Sequence, residues 1–276
     1  LHPDYLATRY AEERAQRENL PLVKIQHHHA HLAACLADNG WDNLEPVIGL
    51  CFDGTGLGTD GAIWGGEVLT GGFSGFTRAY HLSYCPLPGG DAAIRKPARA
   101  ALAYLRGAQI EWDPSLPPVA ALCPEERTLV AAQIEKKINA PLSSSLGRLF
   151  DAVSSLIGVR HTATYEGQAA IELEAIADPA ETGRYSFDIK GSEFDPAPVL
   201  ASLLADWGER VSLPVLAARF HNSVASLCLE VCLIIRKSQG ISTVALSGGV
   251  WQNRYLLRRT LDILQAERFV VLIHNQ

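Results

Sequence analysis

The C-terminal third of the chain alternates between helical patterns and short β-rich runs. A long apolar-periodic helix is predicted from about Leu216 to Ser238, and a strand is predicted at Ser242–Leu246. A glycine turn then leads into a helix from about Asn253 to Ala266, and a last strand is predicted at Phe269–Ile273. Helices that alternate with short strands favour a parallel or mixed sheet covered by helices. The sequence therefore predicts an α/β fold.

The N-terminal part predicts two helices followed by antiparallel strands. Residues 4–18 and His27–Asn39 have helical composition, with Gly40 as a C-terminal stop for the second helix. Short β-rich runs then flank a glycine-rich turn, which predicts a hairpin and one further strand. The predicted strands and turn are Val47–Phe52, Asp53–Gly61 (turn), Ala62–Leu69 and Thr77–Tyr84.

The middle of the chain is predicted to be mainly helical. Prolines between residues 114 and 118, and again between residues 195 and 198, are interpreted as irregular connections. The predicted helices are Asp91–Arg106, Glu125–Asn139, Ser143–Gly158 and Glu166–Ala177.

Composition narrows the class of protein. With 276 residues, 47% hydrophobic and 20% charged, the chain resembles soluble globular proteins, which excludes disorder and collagen-like structure. The net charge of −6 argues against nucleic acid as a main partner. No run reaches the ~18 to 20 uninterrupted apolar residues of a membrane helix, and the first residues do not form a signal segment. We therefore expect no membrane partner and a cytoplasmic location.

Cysteine and methionine usage adds two expectations. The six cysteines are scattered and form no C-x-x-C pair, which predicts reduced thiols in the core. The chain contains no methionine, so we expect it to be a piece of a longer protein.

A histidine run at residues 26–31, QHHHAH, is the first candidate site. On a helix, His27 and His31 project from one face at the spacing that lets two imidazoles bind one transition metal. A zinc-protease H-E-x-x-H site is not predicted, because His28 stands where that chemistry needs glutamate. The alternative is a solvated histidine run or an adventitious metal binder.

The glycine-rich segment at residues 53–61, DGTGLGTDG, is the second candidate site. Glycines let backbone N–H groups approach an anion closely, which favours a phosphate-binding loop, and Asp53 could be a further metal ligand. The segment matches neither the P-loop nor the dinucleotide-binding pattern, so an ordinary tight turn is the alternative.

The segment SGGVWQN at residues 247–253 is the third candidate. A strand, a glycine turn and a helix N-terminus place N–H donors at the carboxyl end of a sheet, where α/β proteins bind nucleotides or phosphates. The alternative is a plain strand-to-helix turn. Glu166 and Glu172 on a neighbouring predicted helix either satisfy the helix dipole or reach a ribose.

Together these motifs resemble the C-terminal portion of the HypF carbamoyltransferases of nickel–iron hydrogenase maturation. The motifs that carry the resemblance are HHHAH (27–31), DGTGLGTDGAIWGGE (53–67), EGQAA (166–170) and SGGVWQN (247–253). That portion is similar to the threonylcarbamoyl transferases of tRNA modification. The resemblance implies the two-lobed actin, Hsp70 and sugar-kinase fold, here truncated at both ends. It implies that residues 1–45 are the remainder of the first lobe and residues 46–276 the second lobe.

The resemblance also implies an activity. Another domain of the full-length protein makes carbamoyl-adenylate from carbamoyl phosphate and ATP, and this portion transfers the carbamoyl group to the C-terminal cysteine of the partner HypE. The product becomes a cyanide ligand of the hydrogenase iron. The attacking sulfur belongs to HypE, and no general acid or base is identified in this chain.

By the same resemblance, a zinc or iron ion would be bound by His27, His31 and Asp53. The nucleotide would be ATP or carbamoyl-adenylate. Its phosphates would contact two glycine segments, and its nucleoside side would face two polar residues. These implied contacts are Gly54, Thr55, Gly56, Gly58, Gly248 and Gly249 for phosphate, and Glu172 and Asn253 for the nucleoside.

Two other functions stay open. Because the chain lacks the domains that make the adenylate, it could be a non-catalytic docking module for HypE and the adenylate-forming domain. The glycine loops also suggest an ATPase or phosphotransferase of the sugar-kinase type. The histidine pair argues against the latter, since such enzymes bind Mg²⁺ through carboxylates, water and phosphate oxygens.

Overall fold

The computed structural model describes residues 6–42 and 44–275. Within these residues the chain forms eleven α-helices and nine strands. The helices are α1 (Leu6–Glu18), α2 (His27–Asp38), α3 (Asp91–Arg95), α4 (Pro97–Gly107), α5 (Pro117–Ala120), α6 (Pro124–Lys136), α7 (Leu146–Leu156), α8 (Gln168–Ala175), α9 (Ala197–Gly208), α10 (Leu213–Gln239) and α11 (Arg254–Ala266). The strands are β1 (Val47–Leu57), β2 (Ile63–Gly72), β3 (Gly75–Leu82), β4 (Cys85–Pro86), β5 (Leu142–Ser143), β6 (Asp188–Lys190), β7 (Glu193–Asp195), β8 (Thr243–Ser247) and β9 (Val270–Leu272).

All strands belong to one mixed sheet. Its main path runs β6-β7-β3-β2-β1-β8-β9, while β5 pairs with β2 and with β4. The hairpin strands β1, β2 and β3 are antiparallel, whereas β8 is parallel to both β1 and β9. The predicted α/β class and the strand–turn–helix–strand order of the C-terminal part are confirmed.

Strand β1 separates two layers of the core, because successive side chains of a strand point to opposite faces. On one face α2 packs its Leu32 and Leu36 against Val47 and Cys51. On the other face Ile48, Leu50 and Phe52 join the large cluster formed by the helical layer that includes α4, α7 and α10. The sheet therefore lies between α2 and this helical layer.

The glycine-rich segment is not a simple turn, and this prediction was wrong. β1 continues through a register shift between Phe52 and Gly56 and pairs again with β2 as far as Leu57. The chain reverses only at residues 58–62, where Gly58 N donates to Ala62 O at 2.9 Å. The extra residues form a β-bulge, which bends the strand and changes the direction of the side chains beyond it.

Two helical predictions also needed correction. The predicted helix Asp91–Arg106 is interrupted at Lys96, which has non-helical backbone angles before Pro97, as expected for a residue that precedes proline. Helix α9 was missed: Pro196 is its N-cap and Pro198 lies in its first turn, where the absent N–H of proline costs no hydrogen bond.

Helix α10 is long and apolar enough to span a membrane by length and composition alone. However, 61% of its most apolar window is buried inside the fold. Its buried apolar residues, apart from Ala218, belong to the main core cluster. The cysteines are unpaired thiols, and five of them are buried as predicted, whereas Cys123 is exposed.

Candidate metal centre and adjoining cavity

Helix α2 begins at the histidine run because Gln26 caps it. The Gln26 side-chain oxygen accepts a hydrogen bond from His29 N at 2.9 Å, and its amide nitrogen donates to Leu57 O at 3.1 Å. The first bond satisfies a backbone donor of the first helical turn. The second attaches the start of α2 to the end of β1, so the histidines of α2 are positioned against the bulged part of that strand.

Three predicted metal ligands converge at this contact. The Nε2 atoms of His27 and His31 lie 3.1 Å from each other, and each lies 3.1 Å from Asp53 Oδ2. The other carboxylate oxygen, Oδ1, accepts from Gly54 N at 2.8 Å and from Gly249 N at 3.3 Å. The side chains of His27, His31 and Asp53 are 26%, 30% and 19% exposed, respectively, so the three groups are partly shielded but can be reached from solvent.

The arrangement fits a metal ion. Burial alone would raise the pKa of Asp53, but hydrogen bonds from His27, His31 and Gly54 outweigh it and lower that pKa well below its usual range. Asp53 is therefore a carboxylate. A tetrahedral ion with bonds of about 2.0–2.1 Å needs donor atoms roughly 3.3 Å apart, close to the separations observed. Two imidazoles and one carboxylate would leave a coordination position for a further ligand.

The other histidines of the run have different roles. His28 is buried, its Nδ1 lies 3.2 Å from Gln26 Nε2, and its Nε2 has no hydrogen-bond partner. Burial, followed by the charge of His27, lowers the pKa of His28 to about 3. His29 turns to the opposite side, where its Nε2 lies 2.8 Å from Gly72 O. Of the four histidines, only His27 and His31 have a ring nitrogen within hydrogen-bond distance of Asp53.

Two of the predicted phosphate-binding glycines instead make close packing contacts. A Cβ on Gly56 would lie 2.5 Å from His28 Cε1 and 2.6 Å from His27 Cδ2. A Cβ on Gly58 would lie 2.1 Å from Trp64 Nε1. Glycine is required at these positions because α2 and a tryptophan approach the backbone closely.

A cavity of about 640 Å³ is lined in part by Asp53, one of the candidate metal ligands. Among the other residues that the sequence suggested, Gly54, Glu166, Gly249 and Asn253 line it. Its remaining lining residues are Gly147, Arg148, Phe150, Asp151, Gly167, Ala170, Ile171, Glu174, Val250, Gln252 and Arg254. The volume suits a small-molecule ligand.

The structure does not bring four other predicted contacts to this cavity. Thr55, Gly56, Gly58 and Gly248 are not among its lining residues. Gly248 has a φ of +105°, and a Cβ there would lie 2.2 Å from the carbonyl oxygen of the neighbouring β1. Glycine at this position lets the turn approach the sheet closely.

Of the two predicted nucleoside contacts, Asn253 lines the cavity and Glu172 does not. Asn253 caps α11 by accepting from Leu256 N at 2.8 Å, and its amide nitrogen lies 2.9 Å from Nε2 of the buried His221. Burial lowers the pKa of His221 to about 4, so a neutral imidazole accepts from Asn253. Glu172 points away from the cavity and forms two hydrogen bonds with Arg160, at 2.6 and 2.7 Å.

Sequence reasoning missed a charged pair in the cavity wall. Arg148 and Asp151 lie on α7 with side chains only 3% and 4% exposed, and Arg148 Nη1 is 3.1 Å from Asp151 Oδ2. Burial raises the pKa of Asp151 to about 6, while Arg148 acts to lower it and Glu166 to raise it. The available signal was two opposite charges three residues apart in an otherwise apolar helix.

Comparisons with known proteins cover nearly the whole chain. A family model described as "Carbamoyltransferase, Kae1-like Domain, second subdomain" matches residues 49–276. A second model, described as the HypF Kae1-like domain, matches residues 1–38. The two matched segments together contain all three metal ligand candidates.

Curated relatives and a solved structure agree with these models. The chain is 42% identical to the carbamoyltransferase HypF of Rhodobacter capsulatus over 96% of its length, and 41% identical to a HypF homologue of Cupriavidus necator over 93%. It covers 35% and 67% of those two proteins, respectively. A crystal structure of full-length HypF in a phosphate- and nucleotide-bound form superposes with a TM-score of 0.90 at 39% identity, covering 99% of this chain and 42% of that one.

Proposed function

The chain belongs to the HypF family of carbamoyltransferases, and on that premise we propose that it transfers a carbamoyl group from carbamoyl-adenylate to the C-terminal cysteine of HypE. The thiolate sulfur would attack the carbamoyl carbon, the bond from that carbon to the phosphate oxygen would break, and AMP would leave. The thiocarbamate formed would be the precursor of a cyanide ligand in hydrogenase maturation. The observation that carries the proposal is the convergence of His27, His31 and Asp53 beside a cavity of about 640 Å³. The chain spans little more than a third of the length of several curated relatives, so the whole reaction of those proteins is itself a proposal.

The candidate ligands would bind a metal ion, and the cavity would bind the nucleotide. His27, His31 and Asp53 would hold a zinc or iron ion, since imidazole and carboxylate donors suit both. These residues would thereby place a Lewis acid where a carbamoyl or phosphoryl oxygen could bind. The nucleotide, ATP or carbamoyl-adenylate, would occupy the cavity between Gly54 and Asn253; the nucleotide-bound relative supports this assignment.

The chain's own groups would mainly bind the reactants and orient them. Asp53 Oδ1 is held by two backbone N–H groups, which fixes the direction of Oδ2. The neutral His221 holds the amide of Asn253 at the cavity wall. The attacking thiolate would come from HypE, and orientation of both reactants next to each other would supply much of the rate enhancement.

Three related assignments belong to the same proposal. We assign residues 1–45 to the first actin-like lobe and residues 46–276 to the second; the boundary between the two family models, at residues 38 to 49, supports this division. The adenylate-forming domain would belong to the same full-length protein. The reaction would take place in the cytoplasm.

A docking module is the second candidate. In that role the chain would bind HypE and the adenylate-forming domain without turnover. An ATPase of the sugar-kinase type is less well supported, since the metal donors are imidazoles.

The test supplies carbamoyl-adenylate to the metal-loaded chain together with HypE. We expect HypE to gain one carbamoyl group by mass spectrometry, and HypE without its terminal cysteine to gain none. His31→Ala should abolish the gain, whereas His29→Ala should retain it. Tight binding of HypE without any gain in mass would refute transfer and support the docking module.

A further inference from the structure

Three helices, α7, α8 and α11, begin at the cavity wall, and they differ in the groups that already lie at their first turns. Glu166 directly precedes the N-cap of α8 and lines the same cavity. The first backbone N–H groups of α11, those of Arg254 and Tyr255, donate to Glu174 Oε1 at 2.8 and 3.2 Å. A carboxylate therefore already satisfies the anion-binding end of this helix. Helix α7 contributes Gly147 and Arg148 of its first turn to the cavity wall, and there the neutral Oγ of Ser145 accepts from Arg148 N at 3.2 Å.

Arg148 lacks the partners that a buried guanidinium needs. Its side chain is 3% exposed, yet Nε and Nη1 have no hydrogen-bond partner. Nη1 lies 3.1 Å from Asp151 Oδ2, an ion-pair distance without hydrogen-bond alignment. Buried donors are nearly always paired, and guanidinium groups are suited to phosphate and carboxylate oxygens. Unpaired donors in a cavity wall point to a ligand that brings the acceptors.

Arg148 lies close to the strand segment that carries Asp53, one of the candidate metal ligands. A Cβ on Gly54 would lie 3.3 Å from Arg148 Nη2, so the guanidinium reaches the residue that follows Asp53. Ser145, the N-cap of α7, has its Oγ 2.8 Å from Asp53 O and 2.7 Å from Gly54 O. The start of α7 is thereby attached to the strand segment that carries the metal-binding carboxylate.

From these contacts we propose that Arg148, with the N-terminal turn of α7, binds the phosphoryl group of the nucleotide on the metal side of the cavity. The inference rests on the proposed function and adds the residue that recognises the anion. The helix dipole of α7 has the matching sign. Glu174 closes the start of α11 to phosphate, because a second anion there would meet the carboxylate that already accepts both N–H groups. The carboxylate of Glu166 would repel an anion at the start of α8.

The surroundings make the guanidinium necessary for an anion to bind. Asp151 and Glu166 line the same part of the cavity as Arg148. Without the positive charge these carboxylates would repel a phosphoryl group, so a neutral substitution should do more than remove hydrogen bonds. A nucleoside, which carries no phosphate, should be indifferent to the change.

The experiment compares AMP with adenosine by isothermal titration calorimetry on the full chain. We expect wild type to bind AMP more tightly than adenosine, and inorganic phosphate to compete with AMP but not with adenosine. Arg148→Gln should weaken AMP binding by about 10- to 100-fold, since hydrogen bonds to charged groups are strong, and should leave adenosine binding unchanged. Arg148→Lys should retain part of the preference. The control Arg106→Gln removes an exposed arginine that pairs with Glu135, and it should keep the full preference.

Each outcome decides the inference. Equal losses for AMP and adenosine in Arg148→Gln would indicate a merely structural role and overturn it, as would a wild-type protein that does not prefer AMP. If the glutamine variant does not fold, the phosphate competition in wild type and the lysine variant carry the decision. Failure of carbamoyl transfer with an intact Arg148-dependent AMP preference would refute the proposed function and leave this inference standing.

Discussion

Replacement of Gly56 by alanine should damage the metal centre without altering a ligand. The new Cβ would lie 2.5 Å from His28 Cε1 and 2.6 Å from His27 Cδ2. Carbon atoms pack at about 3.5–4.0 Å, so the histidine rings must move by about 1 Å. Metal–ligand distances tolerate only about 0.2 Å, and His27 cannot follow without leaving the other two ligands.

The expected magnitude follows from that displacement. Changes in the residues that support metal ligands typically cost about 10- to 100-fold in metal affinity, which corresponds to about 1.4–2.8 kcal/mol of binding free energy. We expect the zinc dissociation constant of Gly56→Ala to rise by about this factor. Overpacking should also lower the free energy of unfolding by about 1–3 kcal/mol.

The assay is competition for zinc against a chromophoric chelator, with circular dichroism to verify the fold. Gly75→Ala is the matched control, because a Cβ at Gly75, in the same sheet, would meet nothing within 4 Å. If Gly56→Ala folds and binds zinc as tightly as Gly75→Ala, the metal is not held by His27 in the observed geometry, and the reasoning fails.

Two further predictions concern ligand identity and pH. His27→Ala and His31→Ala should each lose most of the bound metal, whereas His29→Ala should lose little; equal losses measured by elemental analysis would indicate a nonspecific histidine tract. Because burial raises the pKa of Asp151 from 3.8 to about 6, the folded state holds this proton more tightly than the unfolded state. The free energy of unfolding should therefore fall by about 3 kcal/mol as pH rises from about 4 to about 6 and then level off. Urea titrations of Asp151→Asn should lack this component, and an unchanged pH dependence in the variant would contradict it.

The sequence predicted most elements whose pattern is local. Helices with apolar periodicity and strands bounded by glycine turns were found, since both signals lie within a few residues. The strand β1 was predicted too short, because glycines at 54, 56 and 58 are typical of turns and only the partner strand β2 reveals their pairing. Helix α9 was missed because the prolines that begin it also mark irregular loops.

The convergence of the candidate metal ligands was predictable for a different reason from the cavity. The spacing of His27 and His31 along one helix face is a local signal, and Asp53 was a candidate because it follows a predicted strand at the start of the glycine-rich segment. The lining of the cavity depends on the direction of each side chain. On α8, Glu174 reaches α11, whereas Glu172, only two positions earlier, pairs with Arg160. A difference of two positions rotates a helical side chain by roughly 200°, and no pattern in the sequence shows which one faces inward.

The carboxylate of Asp53 contacts both the histidines of α2 and the turn that follows β8. One oxygen faces the imidazoles of α2, and the other accepts from the backbone of the turn that follows β8. An ion bound to the first oxygen would also set the position of the second, and with it part of the wall of the cavity that we propose for the nucleotide. Metal and nucleotide should therefore strengthen each other's binding by the same factor, in whichever order they arrive, as thermodynamic reciprocity requires.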